Sequence, residues 1–157
     1  MSDLAYMTMA LAAARAAIAA GQMPVGAVVV RAGEVVLTAH NNVWADVDPS
    51  AHAEMVAVRR ACRQLQSVSL AGCTVYVTLE PCPMCLAACH WARVERIVYG
   101  ASIADSIAAG FSELTIPAAE LVKLGKSPIQ VELFPDLQAE CVGLFAEWRA
   151  AGKSKVY

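Results

Sequence analysis

Several features that mark membrane and secreted proteins are missing from this sequence. Its 157 residues contain no run of about 18 or more strongly apolar residues, so we do not expect a membrane span. The apolar segment at residues 4–20 follows Asp3 and contains Arg15, a pattern that does not fit a signal peptide. The six cysteines are not spaced like a disulfide framework. We therefore expect a cytoplasmic protein.

An excess of basic residues is also missing. The formal net charge is −2, and this balance does not favour a nucleic acid as partner, because affinity for a phosphate backbone depends on lysine and arginine. Hydrophobic residues make up 58% of the chain, which is a high share for a small domain. We expect another subunit to cover part of the apolar surface.

The order of helical and strand patterns predicts a single α/β domain covering residues 1–157. After a first helix, VGAVVVR and EVVLTAH predict a β-hairpin. The segments CTVYVTL, PCPMCLAACHWAR and RIVYG predict a strand, a helix and a strand, and this order favours a parallel pair. A later strand, IQVELF, and a last helix complete an α/β sandwich whose sheet contains both an antiparallel hairpin and parallel strands.

The stretch EPCPMC places two cysteines, Cys82 and Cys85, at the start of a helix that follows a strand. Two thiolates can bind a metal, but a metal site needs further ligands. A structural zinc held by four cysteines would need a second pair with this spacing, and the remaining cysteines do not provide one. The positive end of a helix favours the thiolate form, which is the form that binds metal.

His52 is the candidate third ligand, because it also lies at the predicted start of a helix. Helix starts at the ends of neighbouring strands converge on one crevice of an open α/β sheet. Three protein ligands leave a fourth tetrahedral position for water, an arrangement typical of a catalytic zinc. The sequence therefore predicts a Zn²⁺ site formed by His52, Cys82 and Cys85.

Glu54 is the candidate catalytic residue. It follows His52 by two positions, so its side chain diverges from that of His52 by roughly 200° around the helix and faces the substrate side of the metal. Zinc lowers the pKa of a bound water, and an attack on a ring carbon needs a group that takes and returns protons. A His-x-Glu triplet followed by Pro-Cys-x-x-Cys is the signature of zinc deaminases.

Two other classes of protein fit parts of this pattern. Thioredoxin-like redox proteins also carry a Cys-x-x-Cys pair that follows a strand and opens a helix. A zinc-containing binding or structural module without turnover would use the same ligands. Metal content separates the redox class from the others, and ammonia release from bases, nucleosides and tRNA separates an enzyme from a binding module.

Longer segments carry a family resemblance. DPSAHAEMVAVRRAC and TVYVTLEPCPMCLAACHWARVERIVYGA resemble the cytidine and deoxycytidylate deaminase superfamily, in its branch of purine and tRNA deaminases. The resemblance covers nearly the whole chain. It implies a three-layer α/β/α sandwich with a mixed five-stranded sheet, one zinc per subunit and a homodimer or higher oligomer. His52, Cys82 and Cys85 match the ligands of the family, and Glu54 matches its proton shuttle.

The resemblance also points to substrate-binding residues. Asn41 matches the asparagine that hydrogen-bonds the purine ring, and Ala53 lies between the ligand and the proton shuttle. Guanine deaminases share the PCPMC and WAR segments, an AGF segment followed by acidic residues, and a final tyrosine that closes the pocket of the partner subunit by domain swapping. In this chain Glu113 follows AGF, Tyr157 is the corresponding tyrosine, and Trp91 is expected to line the pocket.

Two members of the branch compete for the substrate. Bacterial tRNA adenosine deaminases share the PVGAVVV, HAEMVA and YVTLEPC segments. Ser112 stands where guanine deaminases are acidic, and residues 114–125 look like neither relative. A carboxylate such as Glu113 can accept hydrogen bonds from ring N–H groups, which guanine presents. We therefore expect a nucleobase substrate, guanine converted to xanthine, with adenosine in tRNA as the alternative and with guanosine, cytosine, pterin and amino-triazine left open.

Overall fold

The computed structural model describes residues 1–152, and this part of the chain folds around one five-stranded sheet. The strands are β1 (Gly26–Arg31), β2 (Glu34–His40), β3 (Cys73–Leu79), β4 (Arg96–Ala101) and β5 (Gln130–Leu133). The helices are α1 (Asp3–Ala19), α2 (Val43–Asp46), α3 (Ala53–Gln64), α4 (Pro83–Trp91), α5 (Ile103–Ala108), α6 (Ala118–Gly125) and α7 (Gln138–Ala150), with a 3₁₀ turn at Pro135–Leu137.

The strand order is β2-β1-β3-β4-β5, and the sheet is mixed. Strand β1 runs antiparallel to both β2 and β3, whereas β3, β4 and β5 run parallel to one another. The predicted hairpin and the predicted parallel pair are both confirmed. Helix α4 connects β3 to β4, because parallel neighbours need a crossover of this kind.

Helices cover both faces of the sheet, so the predicted three-layer arrangement is confirmed. In β3, Val75 and Val77 face the core that also contains residues of α3 and α4, while Tyr76 faces the core formed with α1 and α7. A strand buried on both faces cannot alternate between apolar and polar residues. For this reason the strand sequence CTVYVTL does not carry a row of polar residues facing solvent.

Small residues let α1 lie directly against β1. A Cβ atom added at Gly26 would collide with backbone atoms of Ala10 and Ala14 in α1. Both alanines are fully buried. These two alanines therefore allow the helix to pack closely on the sheet. Among residues 1–152 no helix combines the length and the apolar character that crossing a membrane requires.

We expect Gly26→Ala to lower the free energy of unfolding by about 1–3 kcal/mol, because the added methyl group forces α1 away from the sheet. The measurement is chemical denaturation monitored by circular dichroism. Gly143→Ala in α7 is the matched control, since a Cβ at that position meets no atom within 4 Å. The control should be neutral or slightly stabilising, as alanine favours helix. Equal stability of the two variants would contradict this account of the packing.

Candidate active site

The three predicted metal ligands come from the starts of two helices. His52 is the N-cap residue of α3, Cys82 is the N-cap residue of α4, and Cys85 lies in the first turn of α4. The ends of β2 and β3 flank the start of β1, where His40 pairs with Gly26 and Val77 pairs with Ala27. The loops leaving these two strands therefore begin at the same edge of the sheet, and this brings the ligands together.

The distances between the ligand atoms match a tetrahedral zinc site. Nδ1 of His52 lies 3.7 Å from Sγ of Cys82 and 3.6 Å from Sγ of Cys85. With Zn–S bonds of about 2.3 Å and Zn–N bonds of about 2.0–2.1 Å, tetrahedral geometry places nitrogen and sulfur about 3.6 Å apart. All three ligand atoms lie within 4.8 Å of one another. The site therefore has the dimensions of a three-ligand zinc centre.

The protonation of Cys82 also suits a metal site. A hydrogen bond with Cys85 lowers the pKa of the Cys82 thiol to about 4, and the hydrogen bond with His52 acts in the same direction. The thiolate is the form of cysteine that binds zinc. The resident cofactor that fits this donor set is Zn²⁺, with one nitrogen and two sulfur ligands.

Glu54 lies beside the ligands but is not one of them. Only 4% of its surface is exposed. Burial raises the pKa of its carboxyl group to about 7, while the positive charge of His52 opposes that rise. A carboxyl group with a pKa near neutrality can both accept and release a proton, which is the property that a general acid–base catalyst needs.

A cavity of about 110 Å³ opens next to the ligands. Six of the predicted site residues line it together with apolar side chains: Asn41, His52, Ala53, Glu54, Cys82, Glu113, Met23, Phe111 and Phe145. Drug-sized ligands occupy sites of roughly 300–1,000 Å³, so this cavity suits a much smaller molecule. The structure thus places Asn41, Ala53 and Glu113 in the cavity beside the predicted metal ligands.

Asn41 and Glu113 offer the cavity complementary polar groups. The side-chain oxygen of Asn41 accepts a hydrogen bond from the backbone N–H of Val43 at 3.1 Å, which directs the amide toward donating. Glu113 contributes a carboxyl group that is half-buried. Burial raises the pKa of Glu113, although a hydrogen bond from Ser106 opposes the rise.

One of the predicted pocket residues, Trp91, is not among the described residues that line this cavity. Trp91 is the last residue of α4, nine positions after Cys82 and six after Cys85, which correspond to about 13 Å and about 9 Å along the helix. Its side chain is 81% exposed and borders a different surface depression, together with Gly72 and Ile129. The structure therefore does not bring Trp91 to the cavity of its own subunit. Tyr157 lies outside the described residues.

Glu80 is a residue of the site that the sequence did not single out. It is buried, and its two carboxylate oxygens accept hydrogen bonds from the backbone N–H groups of Ile103 at 2.8 Å and Ala118 at 2.7 Å. Glu80 thereby fixes both ends of the segment 103–118, which carries Glu113. Glu80 is the first residue of EPCPMC and was visible in the sequence, but its backbone partners lie 23 and 38 residues further along the chain.

These observations define a class of protein: a zinc-dependent enzyme with buried carboxyl groups beside a small cavity, built on a mixed α/β/α sandwich. The comparison with known families agrees. Residues 1–101 match the model described as the cytidine and deoxycytidylate deaminase zinc-binding region. The chain belongs to this deaminase family.

Similar proteins include deaminases that differ in substrate. The chain is 46% identical over 96 residues to the tRNA-specific adenosine deaminase of Aquifex aeolicus, a match that covers 61% of this chain and 64% of that protein. It is 37% identical over 137 residues to the guanine deaminase of Bacillus subtilis, which covers 85% of both chains. A solved structure of guanine deaminase from Nitrosomonas europaea superimposes with a TM-score of 0.83 at 30% identity, covering 93% of this chain and 84% of that one.

We expect the purified protein to contain about one equivalent of zinc per chain. Cys85→Ala should abolish most of this binding, because two ligands hold zinc far less tightly than three. Cys89→Ala is the matched control, since Cys89 is a buried cysteine one turn further along α4. Glu54→Gln should keep its zinc. The measurement is elemental analysis after exhaustive dialysis.

A zinc content that falls equally in Cys85→Ala and Cys89→Ala would show that loss of folding, and not loss of a ligand, is responsible. Loss of zinc in Glu54→Gln would make Glu54 a ligand.

Proposed function

We propose that this chain hydrolyses the amino group of a purine base, with guanine as the preferred substrate and xanthine and ammonia as the products. The observation that carries the proposal is the carboxyl group of Glu113, which lies in the same small cavity as Glu54 and Asn41 and, unlike that of Glu80, is not held by two backbone N–H groups. Proton transfer needs one carboxyl group, and recognition of ring N–H groups needs another.

Glu54 is the proposed proton shuttle. Zinc, when held by His52, Cys82 and Cys85, acts as a Lewis acid that makes a neighbouring water easier to deprotonate. Glu54 takes the proton from the water that attacks the amino-bearing carbon. It gives this proton to the ring nitrogen and then takes the second proton from the new hydroxyl group on the same carbon. That proton goes to the amine, which leaves as ammonia when the C–N bond breaks, so one water is consumed for each ammonia released. Burial raises the pKa of the Glu54 carboxyl group to about 7, so it can both take up and release a proton near neutral pH.

Asn41 and Glu113 are the proposed groups that select the base. The amide of Asn41 donates a hydrogen bond to a substrate in the cavity, and the carboxylate of Glu113 accepts a hydrogen bond from that substrate. Guanine presents both ring N–H donors and acceptor atoms, so it matches this pair. Adenine linked to ribose has no ring N–H donor for Glu113. The match to guanine deaminase over 85% of both chains supports the same assignment.

The alternative is deamination of adenosine in tRNA. The higher identity to the Aquifex aeolicus tRNA-specific enzyme favours it, although that match covers a smaller part of this chain. In both reactions Glu54 and the metal have the same roles, and the flipped adenine of a tRNA would enter the same cavity. The two functions differ in what Glu113 contacts.

We expect the zinc-loaded protein to release ammonia from guanine faster than from adenine, cytosine, guanosine or a tRNA anticodon stem-loop. Glu54→Gln should lower the rate on the preferred substrate by about 10²–10⁴-fold, because it removes a general acid–base group. The measurement is ammonia release, with inosine formation followed separately for the tRNA. Faster inosine formation together with no reaction on guanine would contradict the proposal and identify adenosine in tRNA as the substrate.

We further propose that the protein acts as a homodimer in which Trp91 and Tyr157 complete the partner's cavity. Trp91 supports this, because an indole side chain that is 81% exposed is unusual outside a protein contact. A second observation concerns α7, whose Trp148 packs against Phe111 with ring centres 5.1 Å apart. Phe111 lines the cavity, so the last turn of α7 lies close to a wall of the cavity.

Subunit mixing tests this arrangement. Deletion of residues 156–157 should lower turnover sharply while zinc content and melting temperature stay nearly unchanged. Mixing that variant with Glu54→Gln, followed by subunit exchange, should restore about a quarter of wild-type activity, because half of randomly mixed dimers then contain one intact site. Self-exchange of each variant alone is the control. If mixing restored no activity, residues 156–157 would act on the cavity of their own subunit. If the deletion variant were fully active, these residues would have no role in the site.

A further inference from the structure

Ser106 in α5 is a fully buried serine whose hydroxyl has a single side-chain partner in the described structure. Its exposed fraction is 0%, and its O–H donates a hydrogen bond to Oε1 of Glu113 at 2.9 Å. Ser106 itself is not among the residues that line the cavity. The hydroxyl therefore acts on the cavity only through the carboxyl group of Glu113.

We propose that Ser106 is a positioning residue, whose hydroxyl holds one carboxylate oxygen of Glu113 so that the other oxygen faces the substrate. This inference rests on the proposed function, in which Glu113 accepts a hydrogen bond from the base. A carboxylate has two equivalent oxygens and rotates about its last bond. Engagement of Oε1 by Ser106 leaves Oε2 as the acceptor for a substrate N–H group.

The end of α5 brings the two residues together. The backbone N–H of Gly110 donates to the carbonyl of Ile107 at 2.8 Å, and the N–H of Phe111 donates to the carbonyl of Ser106 at 3.1 Å. This pair of bonds is a Schellman motif, and Gly110 occupies its left-handed position with φ of 86°. The motif reverses the chain at the helix end, so that the segment after Phe111 returns past Ser106.

The hydrogen bond from the Ser106 hydroxyl also anchors an irregular segment, residues 111–117, to helix α5. Residues 111–117 contain no helix or strand. Glu80 fixes the ends of the longer segment through Ile103 and Ala118. Among the described residues, the bond from Ser106 is the one side-chain hydrogen bond that reaches the interior of residues 111–117. Without it, the helix α5 would keep its place while Glu113 lost its fixed orientation.

The hydroxyl also stabilises the carboxylate form of Glu113. Burial raises the pKa of Glu113, and the hydrogen bond from Ser106 lowers it. The charged groups that act on Glu113 are Cys82, which raises its pKa, and His52, which lowers it. The ionised form is the one that accepts hydrogen bonds with both oxygens, so orientation and ionisation favour the same state.

The test is a double-mutant cycle measured by steady-state kinetics on the preferred substrate. Ser106→Ala should lower kcat/KM by about tenfold, mainly through a higher KM, because a hydrogen bond to a charged group that binds substrate is lost. In a Glu113→Ala background the same substitution should change kcat/KM by less than about twofold, since coupled residues lose their effect once the partner is gone.

Ser102→Ala is the matched control. It also removes a serine hydroxyl from α5, but that hydroxyl bonds Asp105 in a capping box and not Glu113. It should lower the melting temperature at least as much as Ser106→Ala while leaving KM near the wild-type value.

Each outcome has a separate meaning. Equal losses from Ser106→Ala with and without Glu113, or wild-type KM in Ser106→Ala, would overturn the positioning role. Wild-type activity in Glu113→Ala would instead overturn the proposed role of Glu113 in binding the base.

Discussion

The convergence of two helix starts on three ligand atoms is the constraint on which the rest of the structure depends. Zinc tolerates little variation in the distances between its ligands, and here the nitrogen of His52 must lie about 3.6 Å from two sulfur atoms. These atoms belong to helices α3 and α4, which follow different strands. Their alignment therefore requires that β2 and β3 end level with each other on either side of β1.

The sheet meets that requirement through packing on both of its faces. The ends of β2 and β3 are fixed by their registers with β1, and β1 is fixed in turn by the close contact between Gly26 and α1. Interiors packed at this density transmit small displacements, since few voids can absorb them. A displacement of β1 would separate His52 from Cys82. The alanine-rich first helix, which has no residue in the cavity, thus contributes to the geometry of the metal site.

The sequence predicted the parts of the site that depend on local pattern. His52, Cys82 and Cys85 could be found because each lies at the start of a helix and the spacing between the cysteines is short. Glu80 and Ser106 could not, because their partners are set by tertiary structure: backbone N–H groups far along the chain for Glu80, and a carboxylate beyond a helix reversal for Ser106. The glycine of AAGFSE was the available signal for that reversal.

The residues proposed to carry the chemistry lie in one part of the chain, together with Asn41, whereas Glu113, the other residue proposed to choose the substrate, lies in another. His52, Glu54 and the two cysteines fall within residues 1–101, the part that the family shares. Glu113 lies in the segment that follows residue 101. Glu80, two residues before Cys82, anchors that segment through the backbone N–H of Ala118. A fixed reaction centre and an anchored but irregular segment allow the recognised base to change without altering proton transfer, because loops tolerate substitution better than the elements that support them. This division explains why relatives with different substrates resemble this chain to a similar degree.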